Sequence, residues 1–360
     1  MNRPPLPVNS SEPQKPIRVL VVDDSAFMRF SIAKHLNQIP MIQVVGTARD
    51  GQEALEVIPN LQPDVITLDV EMPRMDGLST LREIMADSPR PVIMLSSLTG
   101  EGTLETVQAL TLGAVDFIAK PDNKANISAV LDEVAGKIVR AARAKVWKTS
   151  RKEVAPLAES KIGNKATRAL TAGDRVLVIG SSTGGPRALN TVVPELPANL
   201  QAAVLIVQHM PVGFTRSLAE RLDNLSALKV KEAQPGDRLE VGKALLAPGG
   251  FHMTVDASGQ IALNQNQPVH GVRPAVDVTL TSVVQRYGKS TLAVILTGMG
   301  NDGTNGCALV HSCGGYVIAE AESTSVVWGM PRSVIEAGVA DTVAPLPEVS
   351  AAIQRALRTN

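Results

Sequence analysis

The 360-residue chain has few residues of several kinds, and each shortage excludes a class of protein. Its two cysteines, Cys307 and Cys313, are too few for a disulfide scaffold or a cysteine-rich zinc site. The longest apolar runs, such as Ala202 to Val207, fall far short of the roughly 20 residues of a membrane span. With 35 basic and 35 acidic residues, no chain-wide basic field for nucleic acid exists. We therefore expect a protein of the reducing cytoplasm that neither inserts into a membrane nor binds nucleic acid.

What the chain does contain predicts two domains. Hydrophobic residues make up 44% and charged residues 19%, which is sufficient for a sizeable core. At about 150 residues per domain, the length suggests two domains and a linker. We expect a disordered leader at 1–16, a first domain at 17–140, a basic linker at 141–173 and a second domain at 174–360. The linker pattern is typical of a solvated tether.

Both domains alternate short β-rich runs with helical stretches, which predicts doubly wound parallel α/β folds. The strands predicted in the first domain are Ile17–Val22, Ile42–Ala48, Val65–Leu68, Val92–Ser96 and Val115–Ile118. The main strands predicted in the second are Val176–Ile179, Ala203–Val207, Ala244–Ala247 and Leu292–Leu296, with a hairpin that turns at Ser258-Gly259.

Charged side chains of the first domain lie at the ends of its predicted strands. Asp23 and Asp24 follow the first strand, and Asp69 ends the third. Because ligands of open parallel sheets bind at the carboxyl ends of strands, we expect these carboxylates to converge. They would repel one another, and Mg²⁺ is a cation that suits such a cluster. Ser96 and Lys120, at the ends of the last two strands, would complement a phosphoryl oxygen.

Three segments of this domain, VVDDS, LDVEMPRMDG and FIAKP, resemble the signatures of response-regulator receiver domains. The resemblance covers about Ile17 to Val139 and implies a flavodoxin-like fold. It also implies that Asp69 accepts a phosphoryl group from a histidine kinase. The Mg²⁺ ligands that it implies are Asp24, Asp69 and the main-chain carbonyl of Glu71, with Asp23 nearby. The switch residues that it implies are Ser96, Lys120 and, at the aromatic position, Phe117.

The second domain carries the glycine-rich loop GSSTGG at Gly180–Gly185, between a predicted strand and a helix. The residues alone leave three interpretations: a phosphate cradle, a glycine turn with a Ser or Thr N-cap, or a nucleophile elbow. The spacing fits neither the dinucleotide motif nor the P-loop. It does fit Gly-x-Ser-x-Gly, with Ser182 rather than Ser181 at the centre.

A serine nucleophile needs a base, and the histidines of the second domain are the candidates. His209 comes just after the strand that ends at Val207, so it lies at the same sheet edge as Ser182. His252, after Pro248-Gly249-Gly250, is the alternative. We expect His209 to be the base.

The acid that orients this base is expected to be Asp302. It lies in the glycine-rich loop that follows the predicted strand Leu292–Leu296, although it could equally cap a helix from Thr304. The less well-placed candidates are Asp277 and Asp237. The order Ser182, His209, Asp302 differs from the Ser, acid, His order of α/β-hydrolases, which favours a separate doubly wound sheet.

The second domain, from Asp174 to about Leu357, resembles the catalytic domain of chemotaxis protein-glutamate methylesterases, the CheB family, which also deamidate glutamines. The matching segments are IGSSTGG, QHMPVGFT, LAPGGFHM, RPAVD, ILTGMGNDG and WGMPR. Ser181 departs from the alanine usual there. The resemblance supports Ser182, His209 and Asp302 as the triad, and we expect amides near Thr183 and Met299 to stabilise the oxyanion.

Together the two resemblances imply a phosphorylation-activated hydrolase of bacterial chemotaxis. Its substrates would be methylated glutamates and glutamines on the cytoplasmic domains of methyl-accepting chemoreceptors. A chemotaxis histidine kinase would be the phosphodonor, Mg²⁺ would serve the receiver domain, and the hydrolysis would need no cofactor. The unphosphorylated receiver would cover the triad. Two rivals remain open: a non-catalytic adaptor controlled by phosphorylation, and a nicotinamide-dependent dehydrogenase.

Overall fold

A computed structural model describes residues 15–96, 100–120, 127–148, 165–171 and 173–359. All but the last two residues of the predicted leader lie outside the described residues, as does the middle of the predicted linker, 149–164. None of the helices in the described part is both long and apolar enough to cross a membrane.

The N-terminal half forms a five-stranded parallel sheet with the strand order β2-β1-β3-β4-β5. Its elements are β1 (Ile17–Val22), α1 (Ala26–Leu36), β2 (Ile42–Ala48), α2 (Gly51–Leu61), β3 (Val65–Asp69), α3 (Gly77–Asp87), β4 (Val92–Ser96), α4 (Gly100–Leu112), β5 (Asp116–Ala119) and α5 (Ile127–Ala141). The order reverses at β1, so the carboxyl ends of β1 and β3 lie side by side.

The strands of this half are buried because their apolar residues occupy consecutive positions, so that each strand contributes to both faces of the sheet. On one face, Ile32 of α1 and Ile138 of α5 pack with Val19 and Val21. On the other face, α2, α3 and α4 cover the alternate residues. This packing holds the strand ends in place at the edge where Asp69 lies.

The C-terminal half forms a seven-stranded parallel sheet with the order β16-β15-β14-β7-β8-β11-β9. Its elements are β6 (Arg168–Ala169), β7 (Arg175–Ser181), α6 (Gly185–Val192), β8 (Ala202–Gln208), α7 (Phe214–Leu225), β9 (Lys229–Glu232), β10 (Glu240–Val241), β11 (Lys243–Leu246), β12 (His252–Val255), β13 (Ile261–Asn264), α8 (Val276–Tyr287), β14 (Thr291–Ile295), α9 (Thr304–Ser312), β15 (Tyr316–Glu320), α10 (Met330–Glu336), β16 (Thr342–Ala344) and α11 (Leu346–Thr359). The central strands β14, β7 and β8 are direct neighbours.

The predicted strands are confirmed to within two residues at each end, and the predicted hairpin is β12 and β13. Sequence patterns missed the two-residue strands β6 and β10. In the seven-stranded sheet they missed β9, β15 and β16. The strand β9 has the sequence KVKE and lies at the edge of the sheet. Its two lysines and its glutamate leave no apolar run that would predict a strand. The strand β16 is only three residues long.

The described ends of the predicted linker are not a free tether. The amide of Lys145 donates to the carbonyl of Val326 at 2.9 Å, and Arg187 lies 5.5 Å from the Trp147 ring. At the other end, Arg168 binds the buried carboxylate of Asp174 through both guanidinium nitrogens, at 2.6 and 2.7 Å. Both described ends are therefore attached to the C-terminal half.

Candidate active site

The three carboxylates of the N-terminal half meet at the carboxyl edge of its sheet. Oxygen atoms of Asp23, Asp24 and Asp69 lie within 4.8 Å of one another. Lys120 Nζ lies 2.6 Å from Asp69 Oδ2 and 3.1 Å from Asp23 Oδ2. Burial raises the pKa of Asp69 to about 7, the ammonium of Lys120 opposes this rise, and the charge of Asp23 adds to it. The pocket thus holds more negative charge than one lysine balances.

This donor set fits a hard divalent cation. Asp23 Oδ2 is buried, and the Lys120 ammonium that lies 3.1 Å from it is shared with Asp69. Asp24 and Glu71 line an adjoining groove of about 550 Å³. Mg²⁺ binds carboxylate and carbonyl oxygens and would favour the ionised form of Asp69. The residues present therefore match the Mg²⁺ site that the sequence predicts.

Of the other predicted switch residues, Ser96 ends β4, which neighbours β3, and Phe117 lies at the contact between the two halves. Ser96 Oγ is buried and accepts a hydrogen bond from Thr106 Oγ1 at 2.6 Å. Phe117 is buried, and its ring centroid lies 4.3 Å from that of Phe214 at the start of α7. The aromatic switch position thus contacts the C-terminal half directly.

The C-terminal half brings Ser182, His209 and Asp302 to one sheet edge. They follow β7, β8 and β14, which are adjacent strands. His209 Nε2 lies 2.8 Å from Asp302 Oδ2. In the described structure no hydrogen bond joins Ser182 Oγ to His209, and such bonds often shorten only when substrate binds. Because Nε2 is bound to Asp302, Nδ1 is the ring nitrogen available to take a proton from Ser182.

Asp302 is a buried carboxylate at the N-terminus of α8. Its Oδ2 accepts the amide of Val276 at 2.6 Å, and its Oδ1 accepts the amide of Asp277 at 3.0 Å. Burial acts to raise the pKa of Asp302, but the hydrogen bond and charge of His209 and the two amides outweigh it, and the pKa falls below its usual value. Asp302 is therefore ionised where His209 needs a negative partner.

The expectation that Asp302 caps the helix that follows it is wrong. The helix α9 begins at Thr304 with Gly303 at its N-cap, and the amide of Gly306 in its first turn donates to Asp277 Oδ1 at 2.7 Å rather than to Asp302. Asp302 instead accepts hydrogen bonds from the first two amides of α8, which lie more than 20 residues earlier in the chain. The loop that follows β14 turns back over α8, so the carboxylate points away from its own helix.

The predicted oxyanion amides lie beside the nucleophile. Thr183 and Met299 line one cleft with Ser182. Within the described chain neither the Thr183 amide nor the Met299 amide makes an intramolecular hydrogen bond, so both can donate to a ligand. A Cβ at Gly298 would lie only 2.8 Å from Ser182 Cβ, so glycine is required for the two loops to approach.

Both halves line the cleft that contains the triad, and its volume is about 670 Å³. The C-terminal half contributes the triad and the oxyanion loops. The N-terminal half contributes Phe117, Glu133, Lys137 and Arg140. The N-terminal half is thus one wall of the candidate active site.

Among the other candidates, two lie apart from the triad. His252 is buried at the start of the hairpin, where its Nε2 lies 3.1 Å from the carbonyl of Gln267. Asp237 binds Lys231 Nζ at 2.9 Å. Ser181 also points away from the cleft, since its hydroxyl is fully buried against Gln208.

A second histidine–aspartate pair in the cleft was not predicted. His270 Nε2 lies 2.8 Å from Asp277 Oδ2, and His270 lines the same cleft as Ser182. His270 has a φ of 54°, which is unusual for a residue other than glycine. It follows no strand, so the rule that identified His209 does not apply to it. The only sequence signal for His270 was the segment GVRPAVD that directly follows it.

Comparisons with known proteins agree with both halves of this description. Residues 177–353 match the family described as CheB methylesterase, and residues 19–132 match the response regulator receiver domain. A protein-glutamate methylesterase/protein-glutamine glutaminase from Symbiobacterium thermophilum is 54% identical over 97% of this chain and 99% of its own length. One of the same name from Geobacillus kaustophilus is 49% identical over 94% of this chain and 98% of its own length.

Among solved structures, the Thermotoga maritima CheB methylesterase catalytic domain is 49% identical, with a TM-score of 0.49, over 51% of this chain and 98% of that chain. The relatives match in sequence along nearly their whole length, across both domains. The chain therefore belongs to the CheB methylesterase family, the receiver-bearing hydrolases of chemotaxis named protein-glutamate methylesterase/protein-glutamine glutaminase.

Proposed function

We propose that this chain demethylates glutamate methyl esters on the cytoplasmic domains of methyl-accepting chemoreceptors, releasing methanol, and deamidates glutamines there. A protein with such substrates acts in the cytoplasm. The observation that carries the proposal is the contact of 2.8 Å between His209 and the buried, ionised Asp302, beside Ser182 at the ends of three adjacent strands. This arrangement supports a nucleophile, a base and an orienting acid.

In the proposed reaction, His209 Nδ1 takes the proton of Ser182 as Oγ attacks the ester carbonyl. The amides of Thr183 and Met299 donate to the oxyanion of the tetrahedral intermediate. His209 then returns the proton to the leaving methoxide, and methanol departs. Water, activated by His209, hydrolyses the acyl-enzyme and regenerates Ser182. With a glutamine side chain, ammonia leaves in place of methanol.

Asp302 has two tasks in this scheme. Its hydrogen bond to Nε2 holds the imidazole in the tautomer that leaves Nδ1 free of a proton. Its negative charge stabilises the imidazolium that forms when Ser182 is deprotonated. The α8 amides hold the carboxylate in place from the other side.

Membership of the receiver family implies control by phosphorylation, typically with Mg²⁺. We propose Asp69 as the phosphorylated residue and a chemotaxis histidine kinase as the donor. Asp24, Asp69 and the carbonyl of Glu71 would hold Mg²⁺, with Asp23 nearby. The cation would neutralise charge on the phosphoryl oxygens. Ser96 and Lys120 lie at the same sheet edge and would bind those oxygens.

Regulation in this proposal acts through the wall that the receiver contributes to the cleft. The contact is held by the Phe117–Phe214 ring pair and by Thr103 Oγ1, which lies 3.2 Å from Ser217 Oγ. A receptor helix is too bulky to enter while this contact persists. If phosphorylation draws Ser96 and Phe117 toward Asp69, the contact weakens and the population of open molecules rises.

The function is tested with a methylated chemoreceptor cytoplasmic fragment as substrate. We expect the wild-type protein to release methanol from it, to release ammonia from the glutamine form, and to release nothing from the unmethylated glutamate form. A small-molecule phosphodonor with Mg²⁺ should accelerate both reactions. Tight binding to the fragment without release of methanol or ammonia, even after phosphorylation, would favour the adaptor interpretation instead.

Phe117→Ala should raise basal methanol release without any phosphodonor. An aromatic pair contributes about 0.5–1.5 kcal/mol beyond burial, so the open population should increase by about 2- to 10-fold. Phe30→Ala is the matched control, because Phe30 is 65% exposed on α1. Equal basal rates for Phe117→Ala and wild type, in folded protein, would argue against occlusion by the receiver.

A further inference from the structure

The buried side chain of Gln208 joins the main chains of the two residues that the proposed reaction uses first. Gln208 ends β8 and is 2% exposed. Its Nε2 donates to the carbonyl of Ser182 at 2.9 Å and to the carbonyl of His209 at 3.1 Å. One amide group thus spans the gap between the loop after β7 and the loop after β8.

A second buried side chain holds this amide in its orientation. The hydroxyl of Ser181 donates to Gln208 Oε1 at 2.7 Å, and Ser181 is fully buried. A carbonyl can only accept hydrogen bonds, so Nε2 must face Ser182 and His209, and Oε1 must face the hydroxyl. Both polar atoms of the Gln208 side chain therefore have protein partners.

The start of α6 packs closely against the Gln208 amide. A Cβ at Gly185 would lie 1.9 Å from Gln208 Oε1 and 2.9 Å from Ser181 Oγ. The loop can close over the amide only because residue 185 is glycine. The strand register places Ser181 directly opposite Gln208, so the hydroxyl and the amide meet across neighbouring strands.

We infer that Gln208 and Ser181 are positioning residues that set the distance and orientation between Ser182 and His209. Gln208 acts on both loops, and Ser181 acts through Gln208. This inference rests on the proposed roles of Ser182 and His209. Proton transfer between them depends steeply on their separation, and a misplacement of about 1 Å can lower a rate about 100-fold. We call these two side chains, Gln208 and Ser181, the clamp; Gln208 lies in the wall of the cleft but is only 2% exposed there, so it offers little surface to a substrate.

The test is a double-mutant cycle on the full chain, with Gln208→Met, Ser181→Ala and the double variant. Methionine keeps the length of the side chain and removes both polar atoms. One readout is the rate at which a fluorophosphonate ester labels Ser182, since labelling needs only the nucleophile and its base. The other is kcat and KM for methanol release. Thermal unfolding of each variant shows that it is folded.

We expect Gln208→Met to lower the labelling rate and kcat by about 100-fold, with KM within about twofold of wild type. Ser181→Ala should lower both by about 5- to 10-fold, since it removes one buried hydrogen bond of about 1–1.5 kcal/mol. The double variant should be no slower than Gln208→Met, because Ser181 has nothing to orient once the amide is gone. Ser226→Ala is the matched control, because that buried hydroxyl has no partner and its loss should leave labelling unchanged.

Three results would overturn the clamp: wild-type labelling in Gln208→Met, independent multiplicative losses in the double variant, or a loss confined to KM. If the proposed substrate is wrong but the nucleophile is right, the result differs. Wild-type protein would then label at Ser182 but release no methanol, and the cycle measured by labelling would still decide the clamp. An absence of labelling in wild type would overturn both the nucleophile and the clamp.

Discussion

Ser182→Ala is expected to lower methanol release by about 10⁴-fold or more. The hydroxyl is the protein group that forms a covalent bond with the substrate carbon in the proposed reaction. Neither His209 nor the oxyanion amides can replace it, so the loss should appear in kcat. Substrate binding should persist, because the cleft wall is otherwise intact. The measurement is methanol release from the methylated receptor fragment, with labelling of Ser182 as a second readout.

Ser181→Ala is the comparison that gives this result its meaning. This variant also removes a serine hydroxyl, but from the preceding residue, whose side chain is fully buried and hydrogen-bonded to Gln208. We expect a loss of only about 5- to 10-fold, far smaller than the loss in Ser182→Ala. Should Ser182→Ala release methanol as fast as Ser181→Ala, the nucleophile would have to be another residue.

Asp302→Asn is expected to lower kcat by about 10³- to 10⁴-fold. A neutral amide cannot stabilise the imidazolium of His209, and its NH₂ group can donate to Nε2, which favours the tautomer that has its proton on Nδ1. A proton on Nδ1 blocks the atom of His209 that must accept the proton of Ser182. The same NH₂ group would also compete with the Val276 amide, which donates to Asp302 Oδ2 at 2.6 Å. The variant should therefore be slower and also less stable.

The control for this substitution is Asp237→Asn, which makes the same chemical change at a carboxylate that binds Lys231. It should leave kcat unchanged. The pH profile adds a further check. Because His209 and the α8 amides hold the pKa of Asp302 below its usual value, Asp302 is ionised above that usual value and loses its charge only in stronger acid. The free energy of unfolding of wild type should therefore fall as the pH drops below that usual value, and its difference from that of Asp302→Asn should shrink; a difference that did not change with pH would contradict this assignment.

Much of the architecture followed from the order of residues. Buried parallel strands are uninterrupted apolar runs, so their ends can be read from the sequence, and parallel strands present their carboxyl ends at one edge. This rule alone predicted that Asp23 lies near Asp69 and that His209 lies near Ser182. It worked because each of these residues lies within two positions of a strand end.

The same rule failed where the signal was weak or the position was not tied to a strand. The edge strand β9 alternates apolar with charged residues, and β16 has only three residues. His270 lies in a loop between the hairpin and α8, and its partner Asp277 lies in the first turn of that helix. A sequence pattern gives no reason to bring this pair into the cleft.

The local environment of each side chain required the folded chain, because it is made of contacts between residues distant in sequence. Asp302 caps α8 rather than the helix beside it, Gln208 joins two catalytic loops, and Phe117 stacks on a ring from the other half. Sequence periodicity reports which face of an element is buried, and it carries no information about what packs against that face. The residue types and strand order, together with the resemblances to two known families, predicted a serine hydrolase covered by a receiver, whereas the directions of these three side chains followed from how the two sheets and their loops pack together.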